Sequence, residues 1–334
     1  MTFSIFYGQK KIIMPLHLFS LYLRKKNTLF LFFILISYIP LLSASEYSDN
    51  NKQQYPLHII DEGGKSIVIP HKPMRIVSQT LGTDEILLAI CPTERLVALS
   101  LFSTDPRYSL VVEQAKQVKG RVTQSAEQIL GFKPDLVFAA SYTRAELMQL
   151  LEQTDVPVYR FTKFGGIDDV IQHIRLLGQM IDEKKAAEKL IASMENDIRN
   201  IKKSIPKNNK KPRILAYSQW GYTAGQSTTV DGVISAAGGI NIAAEKGVKN
   251  HVKLNEEYLV KWQPDYLLVG AEYGKVDLVR ERLLKQPLLA HSYLAKENRI
   301  IIIESRYLNT VSQYIVLGLQ QLVQALYPAK KSAS

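Results

Sequence analysis

The chain has 334 residues, of which 46% are hydrophobic, so it can bury a full core and has room for two domains. Its formal charge of +11 suggests a nucleic-acid partner, but five of the 42 lysines and arginines precede the first acidic residue, Glu46. The rest of the chain carries 37 cations against 31 acids, with no long block of like charge, which argues against nucleic-acid binding.

The first 45 residues have the pattern of a signal peptide. Three cations at 24–26 precede an apolar run over 29–42, and small residues follow the run. The run has about 14 residues, fewer than the roughly 20 that span a bilayer, so cleavage after Ser45 is favoured over a permanent anchor. Because the segment before the cations is untypical of a signal peptide, Met14 is an alternative start to Met1.

Only one cysteine is present, Cys91, so no disulfide can form within the chain. A lone cysteine in an apolar segment is typical of a buried thiol and not of a nucleophile. No cysteine lies near the expected cleavage position to carry a lipid, so the mature protein is not expected to be a lipoprotein.

After a polar stretch, the first half of the chain alternates strands and helices. Apolar and polar residues alternate over 57–70 around Glu62-Gly-Gly-Lys, which predicts a hairpin. Short apolar runs and helical periods then follow each other, a pattern typical of a mainly parallel sheet covered by helices. The predicted strands are 75–78, 96–99, 136–140 and 156–159, and the predicted helices are 83–90, 126–131 and 144–153. Together they form an expected N-terminal lobe over 56–163.

A single long helix is predicted over 167–204. Apolar residues recur three or four apart through this segment, and Pro206 ends it. At 1.5 Å per residue such a helix would be roughly 55 Å long, more than one small domain needs. The pattern therefore predicts a rigid connection between two lobes, the alternative being a long core helix of one domain.

The strand and helix alternation resumes over 211–328 and predicts a C-terminal lobe. The predicted strands are 214–217, 266–269 and 299–303, and the predicted helices are 229–237, 256–262, 276–284 and 311–326. The expected fold class is α/β, with two Rossmann-like lobes of mainly parallel sheet joined by one long α-helix.

The two halves share a repeated segment. Residues 125–137 parallel residues 255–267: a capping residue starts a short helix, and a Pro-Asp pair leads into a strand. In each copy a glutamate, Glu127 or Glu257, lies seven residues before the proline.

Several segments together resemble the periplasmic binding proteins of iron-siderophore, haem and vitamin B12 ABC importers, the class with a long helix joining its lobes. They are Pro73-Met-Arg-Ile-Val-Ser, Thr83-Asp-Glu-Ile-Leu, Ile129-Leu-Gly-Phe-Lys-Pro-Asp-Leu-Val, the predicted 167–204 helix, Thr223-Ala-Gly-Gln-Ser-Thr and Ala237-Gly-Gly-Ile-Asn. The resemblance covers about residues 57–326. It implies a monomer in the periplasm that needs no cofactor, holds a small ligand between its lobes, and delivers it to a permease in the inner membrane.

The resemblance also implies that Glu127 and Glu257 dock on arginines of the permease. Two separated carboxylates would fix orientation through charge-assisted pairing. The alternative is local, because an acid in the first turn after the caps Ser125 and Asn255 favours the helix dipole in any protein. Ser125 and Gln128 are also expected to form a capping box.

In this architecture loops at the strand ends meet the ligand. The loops expected there are rich in aromatic and cationic residues: Phe102, Arg107, Tyr108, Tyr142, Arg144, Trp220, Tyr222, Tyr273, Arg306 and Tyr307. Arginine forks suit carboxylate or catecholate oxygens, and aromatic rings offer flat faces to a macrocycle or chelate. The alternative is that some of these rings pack beneath their own loops.

Three loop arginines favour an anionic ferric siderophore as the ligand, with a corrinoid such as cobalamin second. Haem stays open, because His251 and the loop tyrosines are side-chain types that ligate haem iron. No His or Cys cluster has metal-ligand spacing, so a bare transition metal is not expected.

Two other classes remain open. One is a secreted two-domain α/β enzyme, although the sequence has no G-x-S-x-G elbow, phosphate loop or H-E-x-x-H pair, and no catalytic residue is assigned. The other is a surface adhesin or scaffold, which would lack a deep cleft.

Overall fold

The structure is a computed structural model that describes residues 2–7, 10–15, 54–207, 210–218 and 220–328. The chain divides into two compact units, Met1–Lys52 and Gln53–Ser334. In the first unit, strands β1 (Thr2–Tyr7) and β2 (Lys10–Pro15) pair antiparallel, which the sequence did not predict. The predicted signal peptide covers 1–45, but its apolar run and its cleavage position lie outside the described residues.

The first lobe begins with the predicted hairpin and continues into a five-stranded parallel sheet. The hairpin strands are β3 (Leu57–Ile60) and β4 (Ser66–Ile69). The sheet strands are β5 (Ile76–Ser78), β6 (Leu96–Ser100), β7 (Gly120–Val122), β8 (Leu136–Ala140) and β9 (Val158–Phe161), arranged in the order β7-β6-β5-β8-β9. The helices are α1 (Leu81–Ile90), α2 (Val112–Ala115), α3 (Ala126–Gly131) and α4 (Ala145–Glu152).

Strand β8 shows why this sheet is parallel and covered on both faces. All five of its residues are buried, and all five are apolar. A strand that contacts helices on both faces has no polar alternation, because neither face meets water. The sequence therefore predicted β8 correctly, whereas the three-residue edge strand β7 was not predicted.

The second lobe has a four-stranded parallel sheet in the order β12-β10-β14-β15. Its strands are β10 (Arg213–Ser218), β12 (Ile240–Asn241), β14 (Tyr266–Ala271) and β15 (Ile300–Glu304), and a small antiparallel pair consists of β11 (Tyr222–Ala224) and β13 (His251–Lys253). The helices are α7 (Thr229–Ala236), α8 (Ile242–Glu245), α9 (Tyr258–Lys261), α10 (Val276–Lys285), α11 (Pro287–Ala290), α12 (Tyr293–Lys296), α13 (Ser305–Leu308) and α14 (Ile315–Leu326).

Both sheets reverse their strand order beside the first of their own strands in the chain. Strand β5 lies between β6 and β8, and β10 lies between β12 and β14. Such a reversal leaves a crevice at the carboxyl ends of the strands, where open α/β sheets bind ligands. The predicted fold class, with two Rossmann-like lobes, is confirmed.

The connection between the lobes differs from the prediction of one continuous helix over 167–204. The structure has two helices, α5 (Ile167–Met180) and α6 (Lys184–Lys202), separated by a turn in which Asp182 has φ +59°. The helices fold back on each other, since Arg175 Nε lies 2.9 Å from Glu188 Oε1. Gly178 permits the close approach, because a Cβ there would lie 2.4 Å from the Ala187 Cβ.

The folded-back pair still joins the lobes. Helix α6 packs against α1 of the first lobe and α14 of the second, and its residue Ile191 lies in one hydrophobic core with Ile86 and Leu322. A 55 Å strut is therefore absent, and a helical hairpin packed against both lobes takes its place.

A close approach of the connection to the second lobe depends on two glycines. Gly166, with φ +137°, precedes α5, and an added Cβ at Gly232 of α7 would lie 2.6 Å from the Gly166 Cα. Only residues without a side chain can cross at this distance.

Cys91 is buried at the end of α1, as expected, and burial raises the pKa of its thiol to about 12. Across the residues that the structure describes, no helix has both the length and the apolar character needed to cross a membrane.

Candidate ligand-binding site

A cavity of about 330 Å³ lies between the two lobes. The second lobe contributes the carboxyl ends of β10 and β14 together with Trp220 and Tyr222, and the first lobe contributes Arg107 and Tyr108. A pocket of this size is within the range of small-molecule sites. The cavity therefore lies at the strand-order reversal of the second sheet, where open α/β sheets bind ligands.

The first-lobe wall is a short loop over residues 101–110, here called the rim loop. Within it, the Phe102 and Tyr108 rings meet edge to face with centroids 5.5 Å apart, and the Arg107 guanidinium carbon lies 5.4 Å from the Tyr108 centroid. The Arg107 guanidinium also pairs with Asp105, at 2.6 Å from Nη2 to Oδ2. The hydrogen bonds from Arg107 lower the pKa of the Asp105 carboxyl, so both groups are charged and the loop is electrically balanced.

Two adjacent buried carboxylates hold the ends of the rim loop. Asp84 accepts the Ser100 backbone N–H at 3.2 Å and also the Ser100 hydroxyl, just before the loop. Glu85 accepts the Leu110 N–H at 3.1 Å, at the end of the loop. Burial raises the pKa of Asp84 to about 7, although hydrogen bonds from Ser100 and Ser78 oppose this shift.

Glu85 also reaches the second lobe. Its Oε2 accepts hydrogen bonds from the hydroxyl groups of Ser312 and Thr310, and its backbone oxygen accepts one from the Gln313 amide. Burial raises the pKa of Glu85, and the hydrogen bonds from Ser312, the Leu110 backbone and Thr310 partly offset the shift. Neither acid was predicted to have a role in the site, although two adjacent acids inside an apolar helix are a signal of buried polar contacts.

The second-lobe wall is built on the β11–β13 pair. Gly221, with φ +79°, turns the chain after β10 and places Trp220 and Tyr222 at the cavity, where Trp220 is 72% exposed. His251 also lines the cavity, on the strand that pairs with that of Tyr222. The exposed indole and phenol faces are free to pack on a ligand.

Arg306 lies beside the cavity and is only 14% exposed in its side chain. Its guanidinium carbon lies 3.9 Å from the Tyr273 centroid and 4.9 Å from that of Tyr307. Its Nε donates to Glu304 Oε2 at 2.9 Å, and its Nη1 donates to the backbone oxygen of Pro106 in the rim loop at 3.2 Å. The guanidinium is therefore engaged by the protein on several sides.

The ten expected ligand-binding residues thus fall into separate groups. Four of them line the cavity: Arg107, Tyr108, Trp220 and Tyr222. Phe102 packs against Tyr108, and the Arg306 cluster consists of Arg306, Tyr273 and Tyr307. The other two, Tyr142 and Arg144, lie elsewhere on the first lobe.

Sequence reasoning missed the smaller polar residues of the cavity wall. These are Ser218, Thr223, Glu272, Ser305 and Asn309. Most follow or end a strand, and that position was their only signal.

The sequence profile described as "Periplasmic binding protein" matches residues 76–307. The chain belongs to the periplasmic binding protein family. It is 24% identical over 278 residues to the cobalamin-binding protein of Halobacterium salinarum, covering 82% of this chain and 74% of the other. It is 23% identical over 282 residues to the ABC transporter substrate-binding lipoprotein YvrC of Bacillus subtilis, covering 82% and 86%. The apo structure of the periplasmic heme-binding protein RhuT from Roseiflexus sp. RS-1 matches with a TM-score of 0.64 and 29% identity, over 76% and 97% of the two chains.

In this periplasmic binding protein, Glu127 and Glu257 are both exposed near the starts of the repeated short helices. Ser125 Oγ accepts the Gln128 N–H at 3.3 Å, but the Gln128 side chain accepts from Thr123, so the expected reciprocal capping box does not form. Helix α9 begins at Tyr258, one residue after Glu257, which therefore precedes the helix.

A larger cavity, of about 670 Å³, lies between α5, α6 and α7 of this binding protein. Its charged lining residues carry both signs, Asp168, Asp169, Glu195 and Asp231 against Arg199 and Lys202, and no aromatic ring lines it. Because it offers no flat apolar face, it is a poorer ligand site than the smaller interlobe cavity.

Across the described residues, no group of three or more His, Cys, Asp or Glu side chains is arranged to hold a metal ion.

Proposed function

We propose that this protein is the solute-binding component of an ABC importer and that it captures a flat metal chelate, foremost a corrinoid, in the interlobe cavity. The observation that carries the proposal is a cavity with aromatic faces from both lobes, Tyr108 on one side and Trp220 and Tyr222 on the other. Flat rings on opposing walls suit a flat macrocycle.

The charges around the cavity favour a corrinoid over an anionic ferric siderophore. Of the three arginines expected to hold an anion, Arg107 is paired with Asp105 and Arg306 with Glu304. An anion bound there would compete with carboxylates already in place. The cobalamin-binding relative supports the same order of candidates.

Haem is the second candidate. His251 and Tyr222 line the cavity, and imidazole and phenolate are side chains that ligate haem iron. The similarity to the heme-binding RhuT structure also supports this candidate.

The remaining parts of the proposal concern the protein's location and partner. We place a signal peptide at 1–45, the lobes at 56–163 and 211–328, and the mature monomer in the periplasm, with Glu127 and Glu257 docking on the permease. The YvrC relative is a lipoprotein, but the single cysteine here, Cys91, is buried, so we propose no lipid anchor.

The test is a titration of residues 46–334 with cyanocobalamin, haemin, a ferric hydroxamate and a ferric catecholate, followed by tryptophan fluorescence. We expect saturable one-to-one quenching by cyanocobalamin that Trp220→Phe largely removes. Trp262→Phe is the matched control, because Trp262 packs against Tyr258 in the second-lobe core, with ring centroids 4.9 Å apart. Saturation by haemin alone would move the ligand to haem, and saturation by none of the four would overturn the proposal.

The same sample separates a binding protein from an enzyme. A binding protein retains the ligand stoichiometrically and releases it unchanged after denaturation. Chromatography of the released ligand would show a product if the protein were an enzyme.

A further inference from the structure

The rim loop is held at both ends by its own lobe and at its tip by the other. Asp84 and Glu85 of α1 hold the ends through Ser100 and Leu110. The tip is a turn in which the Tyr108 and Ser109 N–H groups donate to the backbone oxygen of Asp105, at 3.1 and 2.9 Å. This turn presents the Pro106 backbone oxygen toward the second lobe.

Arg306 of the second lobe forms a hydrogen bond to the tip of the rim loop. Its Nη1 donates to the Pro106 oxygen at 3.2 Å, across 200 residues of sequence. Glu304 and the rings of Tyr273 and Tyr307 fix the direction of the guanidinium. A planar cation held on several sides loses little freedom when it makes this bond.

We propose that Arg306 is a positioning residue of the binding site: it holds the rim loop against the second lobe and sets the gap between Tyr108 and the facing Trp220 and Tyr222. It does so without lining the cavity itself, in contrast to Arg107 of the rim loop. The ligand part of this inference rests on the proposed function, whereas the hold on the loop does not.

Loss of Arg306 affects both the free and the ligand-bound protein. Without Arg306, the tip of the rim loop loses its hydrogen bond from Arg306 to the Pro106 backbone oxygen, so the loop opens more often. A bound ligand then escapes faster, by about tenfold for the loss of one charged hydrogen bond, while association changes less.

The test compares Arg306→Gln and Arg306→Lys with Arg280→Gln. Arg280 is a matched control, because its Nη1 donates to the Ile300 oxygen at 3.3 Å within the second lobe. In the free protein, hydrogen exchange of the Tyr108 and Ser109 amides should be faster in Arg306→Gln and unchanged in Arg280→Gln. Arg306→Lys should be intermediate, since lysine keeps the charge but loses the flat fork.

Stopped-flow release of cyanocobalamin should then be about tenfold faster in Arg306→Gln than in the native protein. Unchanged amide exchange in a folded Arg306→Gln protein would overturn the positioning role, as would unchanged release where binding is intact. If cyanocobalamin does not bind the native protein, the corrinoid proposal fails and amide exchange alone decides the role of Arg306.

Discussion

Asp135 and Asp265 occupy equivalent places in the two lobes. Asp135 Oδ1 accepts the N–H of Arg75 at 2.9 Å, and Asp265 Oδ2 accepts the N–H of Arg213 at 2.8 Å. Each aspartate also donates its own N–H to the carbonyl of the same arginine, at 2.9 and 2.7 Å. The carboxylate thus fixes the start of one strand beside the strand that follows the Pro-Asp pair. In the first lobe these strands are β5 and β8, and in the second lobe they are β10 and β14.

The equivalence extends to the backbone. Lys133 and Gln263, each just before the proline, have positive φ values of 48° and 47°. The Pro-Asp part of the repeat seen in the sequence is therefore confirmed as a repeat of local structure.

The two aspartates should contribute unequally to stability. Asp135 also accepts the Met74 N–H at 2.7 Å, so Asp135→Ala removes two hydrogen bonds to backbone amides and Asp265→Ala removes one. We expect losses in the free energy of unfolding of about 1 to 2 kcal/mol, larger for Asp135→Ala. Urea unfolding measures this, with the exposed Asp155→Ala as control. Equal, negligible losses in both variants would contradict the shared role.

Asp84 should make the folded state less stable as the pH rises. Its pKa of about 7 in the folded protein lies above its ordinary value of 3.8, so the folded state binds this proton more tightly than the unfolded state. Stability from this group is greatest at low pH and falls between about pH 4 and about pH 7, by at most about 1.4 kcal/mol per pH unit.

Asp84→Asn keeps hydrogen-bonding groups near Ser100 and cannot ionise. The stability of this variant relative to the native protein should therefore rise with pH through that window and level off above about pH 7. Urea unfolding at a series of pH values gives the difference. A difference that does not vary with pH would show that Asp84 does not titrate in this range.

Gly232→Ala should destabilise the protein although the residue is helical. Alanine normally improves a helix by about 1 kcal/mol over glycine, but here its Cβ would lie 2.6 Å from the Gly165 oxygen and the Gly166 Cα. We expect a net loss of about 1 to 3 kcal/mol in thermal unfolding. Gly131→Ala in α3 is the matched control, since a Cβ there has no neighbour within 4 Å. A higher melting temperature for Gly232→Ala would refute the close crossing.

Glu127→Ala combined with Glu257→Ala should leave ligand affinity intact and reduce ligand uptake through the importer. Both side chains are exposed and lie away from the interlobe cavity. Uptake into cells or proteoliposomes that contain the cognate permease measures the effect. Glu146→Ala with Glu256→Ala, also exposed, is the control pair. If the variant that lacks Glu127 and Glu257 supports uptake at the native rate, these glutamates are not part of the docking interface.

The boundaries of the last predicted helix illustrate where sequence patterns lose precision. The apolar period predicted a helix from 311, whereas α14 begins at Ile315. Thr310, Ser312 and Gln313 instead form hydrogen bonds to Glu85 of the first lobe. A contact with a residue more than 200 positions away is not encoded in a local period.

The sequence by itself determined the alternation of buried strands and helices, the repeated Pro-Asp segment and the family, because these depend on local apolar patterns and on short motifs. The tertiary structure alone decided that the connection folds back at 181–183, since the apolar period continues through buried Ile181 and does not encode direction. It also decided that Arg107 faces the cavity while Arg306 holds the rim loop. Both arginines stand next to a tyrosine in the sequence, so the local pattern does not tell them apart. Which one meets a ligand depends on packing between segments far apart in the chain.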